Sequence, residues 1–175
     1  MPFTPFHMGA ALVLKPAARQ HFSLFAFGVA QIVMDMEPLL GMQLGWERLH
    51  GWTHTILGAL LLAPLAVLLT RLLYPPIARW WNRHMQAHRL QWLGMPLPLV
   101  SKAVWLGAVI GTLSHVLLDA LMHTDLTPFA PFSSANPVLG WVSMDHVYQG
   151  CALVGAVGAV VWLLQLWLGR KKTGC

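Results

Sequence analysis

The chain has 175 residues, of which 57% are hydrophobic and only 10% charged, and its mean hydropathy is +0.59. Soluble domains carry about 25% charged residues, so this composition excludes a surface wetted on all sides. It points to an all-α integral membrane bundle of about four transmembrane helices, preceded by a short N-terminal re-entrant or interfacial helix.

The opening MPFTPFHMGAALVLKP lacks the basic start and the small-residue cleavage site of a secretory signal. It reads as a short helix over 5–14, with Thr4 as N-cap, Pro5 in the first turn and Pro16 as a stop. About ten residues cannot span a bilayer, which needs roughly 20. The first span is predicted over 21–40 (HFSLFAFGVAQIVMDMEPLL), with Asp35 and Glu37 near its end and Pro38 placed to interrupt it. The second is predicted over 52–73, where residues 52–70 hold no Asp, Glu, Lys or Arg. A basic loop over 74–100 leads to a third span over 101–122. A Pro-rich loop over 123–145 and a fourth span over 146–168 complete a single membrane domain.

Lys15 and Arg19 precede the first span, Arg79, Arg83, Arg89 and Lys102 lie between the second and third, and Arg170, Lys171 and Lys172 follow the fourth. The excess of Lys and Arg on cytoplasmic loops places both termini and the 74–100 loop inside. This sorting accounts for the net charge of +5 without any nucleic-acid partner. The expected surroundings are a lipid bilayer, the cell's inner membrane. Cys151 lies within a span and Cys175 in the tail, so no disulfide is expected.

On this topology the unusual polar residues collect on the outer side: Asp35, Glu37, His50, His54, His115, Asp119 and His123. An Asp at the centre of a spanning helix costs about 2.5–3.5 kcal/mol, and persists where it faces a partner, water or an ion. His50 and His54 are four residues apart, as are His115 and Asp119, so each pair shares a helix face. A divalent cation would neutralise the carboxylates and take the imidazoles as neutral ligands. Other roles stand beside that one. His50 suits an interfacial cap equally well, and His123 falls near the membrane edge. Asp35 and Glu37 are about 200° apart on a regular helix, so they cannot both face one ion. Asp125 suits a turn cap, Asp145 an N-cap of the last span, and the Trp residues interfacial anchors.

The motifs HGWTH and SHVLLD, the opening MPFTPFHMGAALVLK, and the stretches FSLFAFGVAQIVMDMEPLL and SHVLLDALMHTDLTPFAPFSSANPVLG resemble the membrane-bound metal-dependent hydrolases, the YdjM-like proteins and related domains of unknown function. The resemblance covers nearly the whole chain except the 75–100 loop and the tail. It implies metal positions at His7, Asp35, His54, His115 and Asp119, with His50 beside them. Relatives carry D-x-D-H after the first span where this chain reads Asp35-Met36-Glu37-Pro38, and HRGxTHS where it reads HGWTHT; Arg48 is a candidate substitute for the missing arginine.

The function expected on these grounds is hydrolysis of a phosphoester or similar bond in a membrane-associated substrate, a lipid-linked one among the candidates. One or two divalent ions are expected, zinc being favoured by the histidine content, with Glu37 or His123 as general base. A metal or proton transporter is the alternative, since intramembrane His and Asp also build ion pathways; the inner halves of the spans lack groups to continue one. His7 poses a geometric question. A short helix rising from the inner side reaches only about 12 Å by His7, and Asp35 is expected to lie higher. Either that helix is tilted with the site near mid-membrane, or His7 is not a ligand.

Overall fold

The computed structural model describes residues 6–172. Five helices account for most of them: α1 Met8–Ala18, α2 Leu24–Leu44, α3 Ile56–Ala87, α4 Ser101–Met122 and α5 Met144–Lys172. Three 3-10 turns join them at Arg19–His21, Trp52–His54 and Gln91–Leu93. α2 to α5 are each long and apolar enough to cross a membrane, and among the described residues there is no strand.

α1 starts at Met8; the expected N-cap Thr4 and Pro5 lie outside the described residues. Pro16 does not stop α1, which runs to Ala18. A proline near a helix end removes only one intrahelical hydrogen bond, and the chain turns at Arg19, where φ is 47°. Pro38 likewise lies inside α2, which continues to Gly45 in the left-handed conformation at φ 71°.

The largest departure from the sequence expectation is α3. Instead of ending at residue 73 it runs through Pro75 and Pro76 to Ala87, so much of the expected 74–100 loop is helix. The returning segment holds this extension in place. Tyr74 donates its hydroxyl to Pro96 O at 2.9 Å and Trp81 donates Nε1–H to Leu93 O at 2.9 Å. Asn82 exchanges two hydrogen bonds with Met95. Tertiary hydrogen bonds thus offset the ladder bonds that the two prolines remove.

α2 and α4 form the centre of the bundle, with α3 against both. Gly107 and Gly111 allow the close approach. A Cβ on Gly111 would stand 2.7 Å from Ala30 Cβ, and one on Gly107 would overlap the Ser23 carbonyl. Small residues spaced four apart let membrane helices approach to backbone contact. The same spacing continues to His115 and Asp119 on α4, and Phe27, Gln31 and Asp35 form the facing row on α2. The closeness bought by two glycines therefore delivers two polar rows to each other one turn further on.

α5 stands apart. Its most apolar stretch is 11% buried, against 50% for α4, and its main partner is α1. Gly9 packs on the Cys151 backbone and Gly158 on the Leu12 backbone; a Cβ at either glycine would overlap a carbonyl. Asp145 lies in the first turn of α5, and the capping oxygen is that of Ser143, which accepts from His146 N at 3.4 Å.

Candidate metal centre

Five histidines and three carboxylates come together where α2, α4, the Leu49–Thr55 turn and the start of α1 meet. His7, His50, His54, His115 and Asp119 are buried, with His54 and His115 fully so. Asp35, Glu37 and His123 are partly covered.

The turn HGWTH does not begin α3 as a helix. Residues 52–54 make one 3-10 turn, and Thr55 caps α3 by accepting from Gly58 N at 2.9 Å. His50 and His54 therefore do not share a helix face, yet their ring centroids are 4.9 Å apart. Asp125 makes this possible. Its carboxylate accepts from the backbone N–H of Leu49 and His50, both at 3.1 Å, and from His50 Nδ1 at 2.9 Å. Burial alone would raise the Asp125 carboxyl, but these hydrogen bonds hold it below its ordinary range. Arg48 binds the same corner, donating to Asp125 O at 3.0 Å and to Thr127 Oγ1 at 2.6 Å.

Three imidazoles are fixed in one tautomer by the groups behind them. His50 Nδ1 meets the Asp125 carboxylate. His54 Nδ1 lies 3.0 Å from Thr53 Oγ1 and 3.4 Å from Glu37 Oε2, and the Thr53 hydroxyl in turn donates to Glu37. His115 Nδ1 lies 2.8 Å from Gln31 Oε1, while Gln31 Nε2 donates to Gly111 O at 2.8 Å. A carboxylate only accepts, and the Gln31 amide is oriented by its own donation, so each Nδ1 carries the proton. Each Nε2 then presents a lone pair.

Those lone pairs face oxygens that are also acceptors. His115 Nε2 is 3.1 Å from Asp119 Oδ2 and 3.5 Å from Asp35 Oδ1. His54 Nε2 is 3.6 Å from Asp119 Oδ2, and His7 Nε2 3.6 Å from Asp119 Oδ1. His54 Nε2, His115 Nε2, His123 Nε2 and Asp119 Oδ1 are buried without a hydrogen-bond partner. Acceptors facing acceptors in a dry site cost free energy unless a positive charge lies between them. Protonating several rings would set imidazolium charges side by side, with ring centroids 4.9 Å apart for His7 and His115 and 5.2 Å for His54 and His115. Burial already holds the His54 ring below the ordinary imidazole range. Ligands about 2.0–2.1 Å from a tetrahedral ion sit roughly 3.3 Å from one another, and the Nε2 atoms of His115, His54 and His7 lie 3.1, 3.6 and 3.6 Å from the Asp119 carboxylate. Three triads have donors within 4.8 Å of one another: His7, His115 and Asp119; His50, His54 and Asp119; and His50, His123 and Asp125. The residues present fit one divalent cation or two, with Asp119 common to the first two triads.

All six expected ligand positions therefore converge. For His7 the geometric question is answered by the Arg19–Ser23 turn. From that turn α1 extends eleven residues up to Met8 and α2 climbs twelve from Leu24 to Asp35, each about 16–18 Å. The two arrive at one height. Asp35 and Glu37 point to different partners, as a regular helix requires. Glu37, expected as a possible base, holds Gly51 N at 3.1 Å and the Thr53–His54 pair instead. Gly51 is needed there, because a Cβ would stand 3.0 Å from Glu37 Cδ. Gln31 and the anchoring role of Asp125 were not expected. Gln31 had a signal, a polar side chain four residues before Asp35 in an apolar span; Asp125 had none, its partners lying 75 and 76 residues away.

The Pro-rich loop packs as a cover on this end. Ile56 N donates to Pro128 O at 2.9 Å, Asn136 Nδ2 to Ala120 O at 2.8 Å, and Leu126 is buried. Phe132 and Trp141 point outward, 88% and 74% exposed.

An outer-shell partner of a metal-bound histidine contributes about 10–100-fold in affinity. Glu37→Gln is accordingly expected to weaken zinc binding to the purified protein by about that factor, measured by competition with a chelating dye. Unchanged affinity would show that the Glu37–Thr53–His54 chain orients nothing.

The sequence model of a family described as YdjM inner membrane protein matches residues 2–173. No curated protein matches the chain, and no solved structure does.

Proposed function

The chain belongs to the YdjM inner membrane protein family, a multi-pass protein of the inner membrane, and on that premise we propose that it is a membrane-embedded metal-dependent hydrolase. The observation that carries the reading is the convergence of unpartnered Nε2 atoms from His54 and His115 on the carboxylate of Asp119. His7, Asp35, His50, His54, His115 and Asp119 are the proposed ligands, and a histidine-rich set of this kind favours zinc. The clustering of Lys and Arg at the opposite end of the bundle supports both termini being cytoplasmic.

A divalent cation held there supplies Lewis acidity and an activated water for attack on a phosphoester or similar bond. The protein's own groups do the rest. Glu37, Gln31 and Asp125 orient three imidazoles through Nδ1. His123, stacked on His50 at 4.2 Å with Nε2 unpartnered and 4.0 Å from Asp119, is the proposed general base. Its side chain is 16% exposed, against 0% for His54 and His115, so its ring lies nearer the open side than theirs. Asp35, 31% exposed, lies on the side open to a ligand. The exposed Phe132 and Trp141 beside the cover suit a substrate presented from the lipid interface.

The test is purified, zinc-loaded protein assayed on lipid phosphates and soluble phosphodiesters. Hydrolysis is expected, lost in His115→Ala and lowered about 10²–10⁴-fold in kcat by His123→Gln with zinc retained. Hydrolysis that survives His115→Ala, or zinc uptake into proteoliposomes without any hydrolysis, would overturn the reading, the latter in favour of a transporter.

A further inference from the structure

The short length of α1 leaves a space at the other end of the bundle. α1 wedges against α5 only as far as Ala18, whereas α5 continues to Lys172. Where α1 stops, a cavity of about 1010 Å³ opens between the start of α2, the last turns of α5 and the segment leading into α4. Phe22, Phe25, Trp162 and Leu166 are among its apolar walls. Ala103 lines it, and twelve residues along α4 separate Ala103 from His115, so the cavity lies about 18 Å from the histidine cluster.

Its charged lining residues are Lys15 and Arg19, and none is acidic. Lys15 Nζ is fastened to Arg19 O at 2.6 Å and Phe22 O at 2.8 Å, which fixes its charge at the turn. Arg19 is exposed beside it. A neighbouring cavity of about 470 Å³, sharing Tyr74, Pro98 and Leu99 with the first, adds Arg71 and Arg79. Every Asp and Glu of the chain lies in the other half of its helix or in the loops at that end.

Within a bilayer a mostly apolar space of this size is filled by hydrocarbon, because water there would find too few polar partners. Basic pockets between spanning helices select anionic headgroups, each cation near the surface favouring them several-fold. We propose that this cavity is a binding site for one anionic phospholipid, with its acyl chains against Phe22, Phe25, Trp162 and Leu166 and its phosphate at Lys15 and Arg19. The proposal is independent of hydrolysis at the histidine cluster.

Native mass spectrometry of the full-length protein, titrated with phosphatidylglycerol or phosphatidylcholine, tests it. One phosphatidylglycerol is expected to be retained, at least about tenfold tighter than phosphatidylcholine. Arg19→Gln is expected to cut that preference to about threefold or less, and Leu166→Trp, which fills the cavity, to remove the retained lipid. An unchanged thermal unfolding midpoint in both variants reports that the fold persists. Equal retention of the two lipids, or a preference that survives Arg19→Gln, would overturn the proposal; should Leu166→Trp fail to fold, the Arg19→Gln comparison decides alone.

Discussion

Asp119→Asn is expected to strip the protein of divalent cation, lowering affinity by more than the roughly 100-fold that loss of an outer-shell partner costs. Asp119 is the one carboxylate shared by two of the three donor triads, so no neighbour replaces it. The sharper expectation concerns the metal-free protein. There Asp119 faces the lone pairs of His54 and His115, and an asparagine amide could donate to one of them. The substitution should therefore raise the stability of the metal-free protein, by about 1 kcal/mol for one hydrogen bond gained, while abolishing stabilisation by zinc. Wild-type protein at 100 times its dissociation constant should gain about 2.7 kcal/mol from the ion. Thermal unfolding with and without zinc measures both. A fall of about 3–5 kcal/mol in the metal-free variant would mean instead that buried imidazolium–carboxylate pairs fill the cluster, since breaking one such pair costs that much.

Gly9→Leu should have the next largest effect. Gly9 packs its Cα face on the Cys151 backbone, and its Cα lies 2.9 Å from where a Cβ on Gly155 would stand. A leucine must push α1 away from α5, at a cost of about 1–3 kcal/mol for overpacking. The displacement draws His7 out of the cluster, so zinc affinity should fall by at least the roughly 10–100-fold that loss of an outer-shell partner costs, together with stability. His7→Ala should reproduce the loss of affinity without the loss of packing. If Gly9→Leu lowers the thermal midpoint yet leaves zinc affinity intact, His7 is not a ligand.

The sequence carried a great deal of this architecture because membranes simplify the code. Runs without charge mark α2 to α5, and the four-residue spacing of His115 and Asp119 places them on one face before any coordinates. Boundaries were less legible wherever proline was involved. Pro16, Pro38 and the Pro75–Pro76 pair each lie inside a helix; few hydrogen bonds are lost near an end, as at Pro16, and in α3 tertiary ones such as Asn82 with Met95 offset the loss. His7 was hard to place for another reason. Its depth depends on how far α1 and α2 each climb from the Arg19–Ser23 turn, and the sequence shows neither the tilt nor the common start of the two helices. Glu37 and Asp125 read as catalyst and cap, whereas each fastens the Leu49–Thr55 turn from a distance of 14 and 75 residues. Spacing rules describe one helix at a time, and these contacts join separate ones.

The contact of α1 with α5 also sets an order of assembly. Gly9 meets Cys151 and Gly155, and Leu12 meets Gly158, so the full packing of α1 forms only once α5 is in place. Until α5 has entered the bilayer, α1 has only its smaller contact with α2, through Ala11 and Phe27, to hold His7 beside His115. The helix pairing of α2, α3 and α4 can form earlier, from nearer neighbours in the chain. Formation of the proposed metal centre is thereby tied to insertion of α5, without which α1 would lose the larger part of the packing that sets His7 beside the cluster.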